Sequence, residues 1–344
     1  MRHHKPRILF VQVELHTWQR TKHWPYCCHI GLEEGFAANG VDFFTVTTPW
    51  IGRIRELCAG QHFDQLWLNG LLHTEDPDGG FIDDAAWEWL ADVAPIRVGL
   101  TIESAAYSPQ EEAAEPWVLN RKSIVQRRVP FFTHMVLVDE QDAQRIGEQF
   151  AMPTMWSPFA IPQRYIQPRV AAPTLSKAAF SGSLYGERGA WLQEASAKDL
   201  LSHQKSPDQW SLQRPLFYLL PKHRFSQLIS RHLLRATVPD AYLNPTFLYP
   251  TYLNLVRWIR RRGFAQWLHS LQASPVVVDL PHLIKAYPTR VVEGMAVGRP
   301  VLAWEVPDRP RNRALFEQDK EILFYATPTQ LAEQIEKVVG DPTW

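Results

Sequence analysis

Cysteine is scarce: Cys27, Cys28 and Cys58 are all that the chain carries. Three thiols make neither a disulfide framework nor a structural zinc site, and a free cysteine packs as a small buried hydrophobe. A reducing compartment, the cytoplasm, is the expectation. Long apolar runs are also missing, since no stretch approaches the roughly 18 residues of a membrane span. The opening MRHHKPRILFVQVEL is basic and then apolar, like a secretion leader. Gln12 and Glu14 interrupt it, however, and no small-residue cleavage site follows. Net charge is absent, with 36 Lys and Arg against 36 Asp and Glu, which argues against nucleic acid as an obligatory partner. A convincing Asp-x-Asp metal pair is absent as well. EDPD, Glu75 to Asp78, comes nearest and has the turn residues of a polar loop, so no bound cation is expected.

What is there describes a globular chain of two domains: 344 residues, 45% hydrophobic and 21% charged. The zero net charge hides an asymmetry. Residues 51–118 carry 13 acids against 3 bases, and residues 203–262 carry 10 bases against 2 acids, so one part of the molecule should attract anions. The first third alternates strand and helix. RILFVQV, VDFFTVT, FDQLWLNGL and IRVGLTIES read as strands, HIGLEEGFAANG as a helix closed by Gly40, and DDAAWEWLADVA as a helix through Ala86, Leu90 and Val93. Such alternation predicts an α/β fold with parallel sheets covered by helices. Five prolines between Pro153 and Pro173 then mark a joint. Beyond it the layout restarts with KAAFSGS, PVVVDL, PVLAW, EILFYA and a last helix. That helix has Thr327 as N-cap, Pro328 in its first turn, and Leu331, Ile335 and Val338 on one face. The reading is a first domain over 1–160, a second over 161–325 with a basic helical segment at 200–273, and a terminal helix at 326–344 packing near the junction. Within the basic segment Phe225, Leu228, Ile229 and Leu233 make an apolar stripe. RWIRRR, Arg257 to Arg262, ends another helix, where cations suit the negative pole. These arginines form either a solvated face or a surface for an anionic acceptor or phospholipid head groups.

Ligands bind outside the carboxyl ends of strands in open parallel sheets, and three features meet there. In AFSGSLYGER a Gly182–Ser183 turn follows a strand, and Arg188 stands a few residues on, able to bond a diphosphate. Tyr287 to Arg290 begins a helix whose first amides are orphan donors. Glu293 lies one turn deeper, where a carboxylate would repel phosphate but can accept two hydrogen bonds from a vicinal diol. Gly294, costly in mid-helix by about 1 kcal/mol, would let that helix pack closely on its neighbour. The plain alternative is an Arg290–Glu293 ion pair in solvent.

YPTRVVEGMAVGRPVL, with PVVVDL before it and EILFYATPTQLAEQIEKVV after it, resembles the donor-binding end of group 1 glycosyltransferases, nearest the spore-maturation-type branch. FSGSLYGERGAWL is similar to the earlier glycine-serine turn of that branch. The resemblance covers about 177–192 and 276–339 and is only a layout over the first 160 residues. It implies the GT-B fold, two Rossmann-like domains facing across a cleft, with the donor nucleotide in the second. It implies that Glu293 holds the ribose, and that Gly182, Ser183, Arg188 and the amides near Thr289 and Arg290 hold the diphosphate. Many retaining members carry a second glutamate eight residues earlier. Here Lys285 stands in that place, and the two-glutamate pattern is broken.

Sugar transfer needs preorganised donors for the leaving phosphate. Arg188, Lys285 and Arg290 can supply them without metal or other cofactor. An inverting route also needs a base near the acceptor hydroxyl. Glu103 is the first candidate and His16 the second, with Glu14 and His73 also at strand ends. The function expected is transfer from a nucleotide diphosphate sugar to a glycan, a lipid-linked intermediate, a peptide or a small molecule. A nucleotide-sugar 2-epimerase and a non-catalytic nucleotide-sugar-binding protein are the alternatives.

Overall fold

The computed structural model describes residues 5–13, 27–75, 80–115, 118–167, 171–196, 199–204 and 245–340. In chain order the elements are β1 (Arg7–Gln12), α1 (Cys27–Ala38), β2 (Asp42–Thr47), α2 (Ile54–Leu57), β3 (Gln65–Asn69), α3 (Asp84–Asp92), β4 (Ile96–Leu100), α4 (Pro109–Ala114), α5 (Arg121–Arg128) and β5 (His134–Leu137). They continue with α6 (Glu140–Phe150), β6 (Thr154–Trp156), β7 (Ala178–Ser181), α7 (Arg188–Ser196), β8 (Leu201–Gln204), α8 (Pro245–Ala273), β9 (Val277–Asp279), α9 (Thr289–Ala296), β10 (Val301–Trp304), α10 (Pro310–Arg313), β11 (Leu323–Tyr325) and α11 (Pro328–Gly340). The chain divides into two compact units. One holds Met1–Thr101, Ile124–Val136 and Asp208–Phe264. The other holds Ile102–Ser123, Leu137–Pro207 and Ala265–Trp344.

In the first unit the strands run parallel in the order β2-β1-β3-β4-β5. β1 is interior to this sheet, so both its faces are covered and Ile8 to Gln12 are all buried. That is why it reads as a continuous apolar run rather than an alternating one. Ile8 and Phe10 pack on Phe36 of α1, whose ring meets Phe10 at 5.6 Å and Trp67 at 5.3 Å, both edge-on. Gly40 closes the chain after α1 with φ at +60°, and its N–H donates to Ala37 O. α3 is capped by Asp83, which accepts from the Ala86 amide at 2.8 Å. Its buried face is Ala86, Trp87 and Leu90, while the expected Val93 is only the C-cap. Cys58 is buried, and burial pushes its thiol up to about 12 against the lowering pull of Arg7, so it packs and does not react.

In the second unit the order is β11-β10-β9-β7-β8, again all parallel. Counted along the chain, both sheets share one doubly wound order, 2-1-3-4-5, whose switch point lies between the first and third strands. Here that point falls between β7 and β9. The core joins Phe180, Val278, Leu302 and Tyr325 to Leu331, Ile335 and Val338 of α11. Thr327 caps α11, accepting from the Gln330 amide at 3.2 Å.

One expectation fails. Arg257 to Arg262 do not end a helix, because α8 continues eleven residues further, to Ala273. Phe264, Trp267, Leu268 and Leu271 are all buried on one stripe, and that burial outweighs the cost of about 1 kcal/mol for Gly263. The arginines therefore lie in mid-helix, away from any pole. Arg257 bonds both oxygens of Glu33 at 2.9 Å, and Arg261 stands 3.5 Å from Glu34. In the same unit the Tyr249 hydroxyl accepts from Thr47 N at 3.2 Å and donates to Thr45 O. The stripe Phe225 to Leu233 lies outside the described residues. Among the described residues no helix is long and apolar enough to cross a membrane.

Candidate functional site

The switch point of the second sheet gathers charge. β7 ends at Ser181 and passes into Gly182, and β9 ends at Asp279, whose side chain is fully buried. Arg290, on the first turn of α9, donates from Nη1 to Asp279 Oδ1 at 2.8 Å, and its guanidinium lies 4.8 Å over the Phe180 ring. His282 Nε2 is 3.2 Å from Asp279 Oδ2. Burial alone would push the Asp279 carboxyl up. His282, Arg290 and Arg188 together outweigh it and hold the group below the usual carboxylate range.

Gly182 has a steric reason. A Cβ there would come 2.5 Å from Arg290 Nη2 and 3.1 Å from Phe180 Cζ, so any side chain at this turn would displace the guanidinium from its present place. The Gly182 carbonyl accepts from His203 Nε2 at 2.8 Å. Ser183 is exposed, and its carbonyl accepts from Arg188 Nη1 at 3.1 Å. Arg188 is buried, donates from Nε to Pro281 O at 2.9 Å, and stacks over Tyr185 at 4.0 Å. The structure thus brings Gly182, Ser183, Arg188 and Arg290 together. Two guanidinium groups against one buried carboxylate leave an excess of positive charge beside the turn.

Thr289 is buried at the start of α9, preceded by Pro288 as N-cap. Glu293 lies one turn on and is fully buried. Its Oε2 accepts from the Trp267 indole N–H at 2.7 Å. The solvated Arg290–Glu293 pair weighed above is not what the chain builds. Arg290 turns to Asp279, Glu293 turns to Trp267, and both are buried. Gly294 does what its position requires. A Cβ there would sit 2.9 Å from Val301 Cγ2 and 3.2 Å from Val277 Cβ, so α9 lies directly on β9 and β10.

Lys285 has other partners than Asp279. Its backbone N–H donates to Ser104 Oγ at 2.8 Å, and its Nζ to Glu111 Oε2 at 2.9 Å and Ala106 O at 3.4 Å. Glu111 also closes a capping box with Ser108 at the start of α4, and its carboxyl is held below the usual range, with Ser108 and Lys285 overcoming the effect of burial. Glu103 is buried in a salt bridge of 2.9 Å with Arg121. Tyr185 lies within reach of charges from both Glu103 and the arginine cluster. Burial raises its pKa, and the charges acting on it are Arg188, Arg290, Glu103 and Asp279. His73 is buried in a short 3-10 turn, Leu71–His73. Glu75 is bonded to Arg127 and, at 3.1 Å, to Arg128. His16, Glu14, Asp76 and Asp78 lie outside the described residues.

Three participants escaped the sequence reading. Asp279 was signalled as an acid closing an otherwise apolar strand. Trp267 was signalled as an indole on a buried helix stripe, where the N–H needs an acceptor. Tyr185 carried no signal beyond its place in the turn.

Comparison with known proteins adds a sequence match. Residues 233–343 fit the family model described as Glycosyl transferase-like, a stretch that takes in Trp267, Asp279, Arg290 and Glu293. Among curated protein sequences none matches the chain. Among solved structures, Anabaena HepE in complex with UDP and glucose aligns at 12% identity and a TM-score of 0.48, over 98% of this chain and 91% of that one. TarM of S. aureus aligns at 12% identity and a TM-score of 0.45, over 84% of this chain and 50% of its own. The chain thus spans about half the length of TarM. The glycotransferase of kitacinnamycin aligns at 11% identity and a TM-score of 0.39, over 99% and 92%.

Proposed function

We propose that the chain is a glycosyltransferase of GT-B type that uses a nucleotide diphosphate sugar without a metal ion. The observation that carries this is the cluster at the second switch point: Gly182 opened for Arg290, Arg188 beside it, and Glu293 one turn deeper, with Arg290 and Glu293 inside the stretch that fits a glycosyl transferase-like family. On this reading residues 1–160 serve the acceptor and 161–325 the donor. The diphosphate lies at Gly182 and Ser183, toward Arg188, Arg290 and the Thr289 amide, where the excess positive charge and the start of α9 favour an anion. These fixed donors also stabilise the departing phosphate as the glycosidic bond breaks, and Lys285, paired with Glu111, serves on the sugar side as a hydrogen-bond donor. Glu293 takes the ribose diol once the ligand replaces the Trp267 indole as its partner. Glu103 is the candidate base for the acceptor hydroxyl, with Arg121 fixing its carboxylate. His16 is the second candidate.

Thermal-shift measurements against a panel of nucleoside diphosphates and their sugars test the donor assignment. Selective stabilisation by one base, lost in Glu293→Ala and Arg290→Ala, supports it. Equal shifts for every base, or shifts unchanged in both variants, would overturn it. Turnover of a nucleotide sugar with no acceptor added would favour the 2-epimerase instead.

A further inference from the structure

The second unit holds a polar groove of about 490 Å³ whose lining includes Lys285, within the size range of small-molecule sites. One wall is a stripe on α6: Gln141, Gln144, Arg145 and Glu148, spaced three, four and seven residues from the first and therefore on one helix face. Asp142, Arg309, Lys285, Tyr107 and Ala106 line the rest.

Its charges are already spent. Arg145 Nη2 bonds Asp142 Oδ1 at 2.8 Å. Arg309 grips Asp139 with two bonds, 2.6 and 3.0 Å. Lys285 Nζ bonds Glu111 at 2.9 Å. Each lining cation carries its own carboxylate, so an anionic ligand meets neutralised pairs and gains no net charge attraction from them. A neutral polyol needs none. Paired carboxylates keep lone pairs, guanidinium groups keep spare N–H donors, and the two glutamine amides offer a donor and an acceptor each. Among the described residues Gln144 Nε2 bonds Glu148, at 2.9 Å, and Gln141 Nε2 the carbonyl of Asp308, at 2.7 Å, and neither amide oxygen accepts a hydrogen bond from another described residue, which suits both to hydroxyl donors.

We propose that this groove is the acceptor subsite and that it takes a neutral oligosaccharide. Its place as an acceptor subsite rests on the glycosyltransferase reading, because Lys285 is common to the groove and to the proposed donor site. Anionic acceptors, phosphorylated lipid-linked intermediates above all, are disfavoured by the spent charges.

The test is saturation-transfer NMR on the full chain with maltotriose, xylotriose and triacetylchitotriose as neutral probes and trigalacturonate as an anionic probe of the same length. At least one neutral trisaccharide should bind, with trigalacturonate about tenfold weaker or worse. Gln144→Ala and Gln141→Ala, both exposed positions, should each weaken it about three- to tenfold, the range of one lost hydrogen bond. Stronger binding of trigalacturonate, no binding of any neutral probe, or unchanged affinity in both variants would overturn the assignment. A nucleoside diphosphate thermal shift on the same samples reads the donor site separately. Retained diphosphate binding without saccharide binding defeats the groove and leaves the donor reading intact; the converse defeats the donor reading, and with it the groove's role as an acceptor subsite, and leaves saccharide binding alone.

Discussion

Asp142 offers a quantitative check on the electrostatics of the second unit. Its side chain is buried and accepts from the Ala105 amide and from Arg145. Burial raises its carboxyl first and the Asp139 charge adds to the rise, against Ala105, Arg145 and Arg309, so the group moves from 3.8 to about 6. The folded chain therefore holds this proton at a pH where the unfolded chain has released it. Stability contributed by the bound proton is lost as pH rises from 3.8 and levels off above 6. Between pH 4.5 and 6 the loss spans about 1.5 pH units, or about 2 kcal/mol at about 1.36 kcal/mol per unit. Asp142→Asn imitates the protonated side chain and keeps an oxygen for the Ala105 amide. In urea unfolding at pH 4.5 and 7.5 the variant should gain on the parent by about 2 kcal/mol more at the higher pH. Titrations of groups that do not sense the Asp142 charge are common to both chains and cancel. The same difference at both pH values, or a gain at pH 4.5 instead, would refute the burial of Asp142 against Asp139.

Arg290→Ala should cost about 3 kcal/mol in chemical unfolding, because Asp279 is left as a buried charge without that partner. Adding Asp279→Asn to it should recover much of the loss. Gly294→Val should cost about 2 kcal/mol in the same assay, since even its Cβ meets Val301 and Val277 inside contact distance. Tyr249→Phe removes the hydroxyl that joins Thr45 and Thr47 and should cost about 1 to 2 kcal/mol in the same assay.

The two parallel sheets were legible because their strands are short apolar runs between helical patterns and turn residues. Even so, the pattern could not tell Val93 from Trp87 as the buried residue of α3, since both fit a helix face and only the neighbours decide. α8 was cut short in the reading because Arg262–Gly263 looks like a helix end. What continues it is the fit of Trp267 and Leu271 into a core that a linear pattern does not display. The cluster at Gly182 and Arg290 was readable as separate pieces. The partner of Arg290, Asp279, was not, because pairing across 11 residues between a strand end and a helix turn depends on the sheet order. Glu293 stood out in the sequence, but its indole partner comes from 26 residues upstream, and nothing in the local sequence announces it.

The account turns on Glu293 as the clasp of a ribose, and one thermodynamic cycle tests that. Isothermal titration calorimetry would compare the best-binding nucleoside diphosphate with its 2′,3′-dideoxy analogue, in the parent chain and in Glu293→Gln, which keeps an oxygen for Trp267. Charge-assisted bonds to the diol are worth about 1.5 to 3 kcal/mol each. The parent should therefore bind the dideoxy form at least tenfold more weakly, and the variant should discriminate far less. Equal affinity for the two nucleotides in the parent, or the same discrimination in Glu293→Gln, would contradict it.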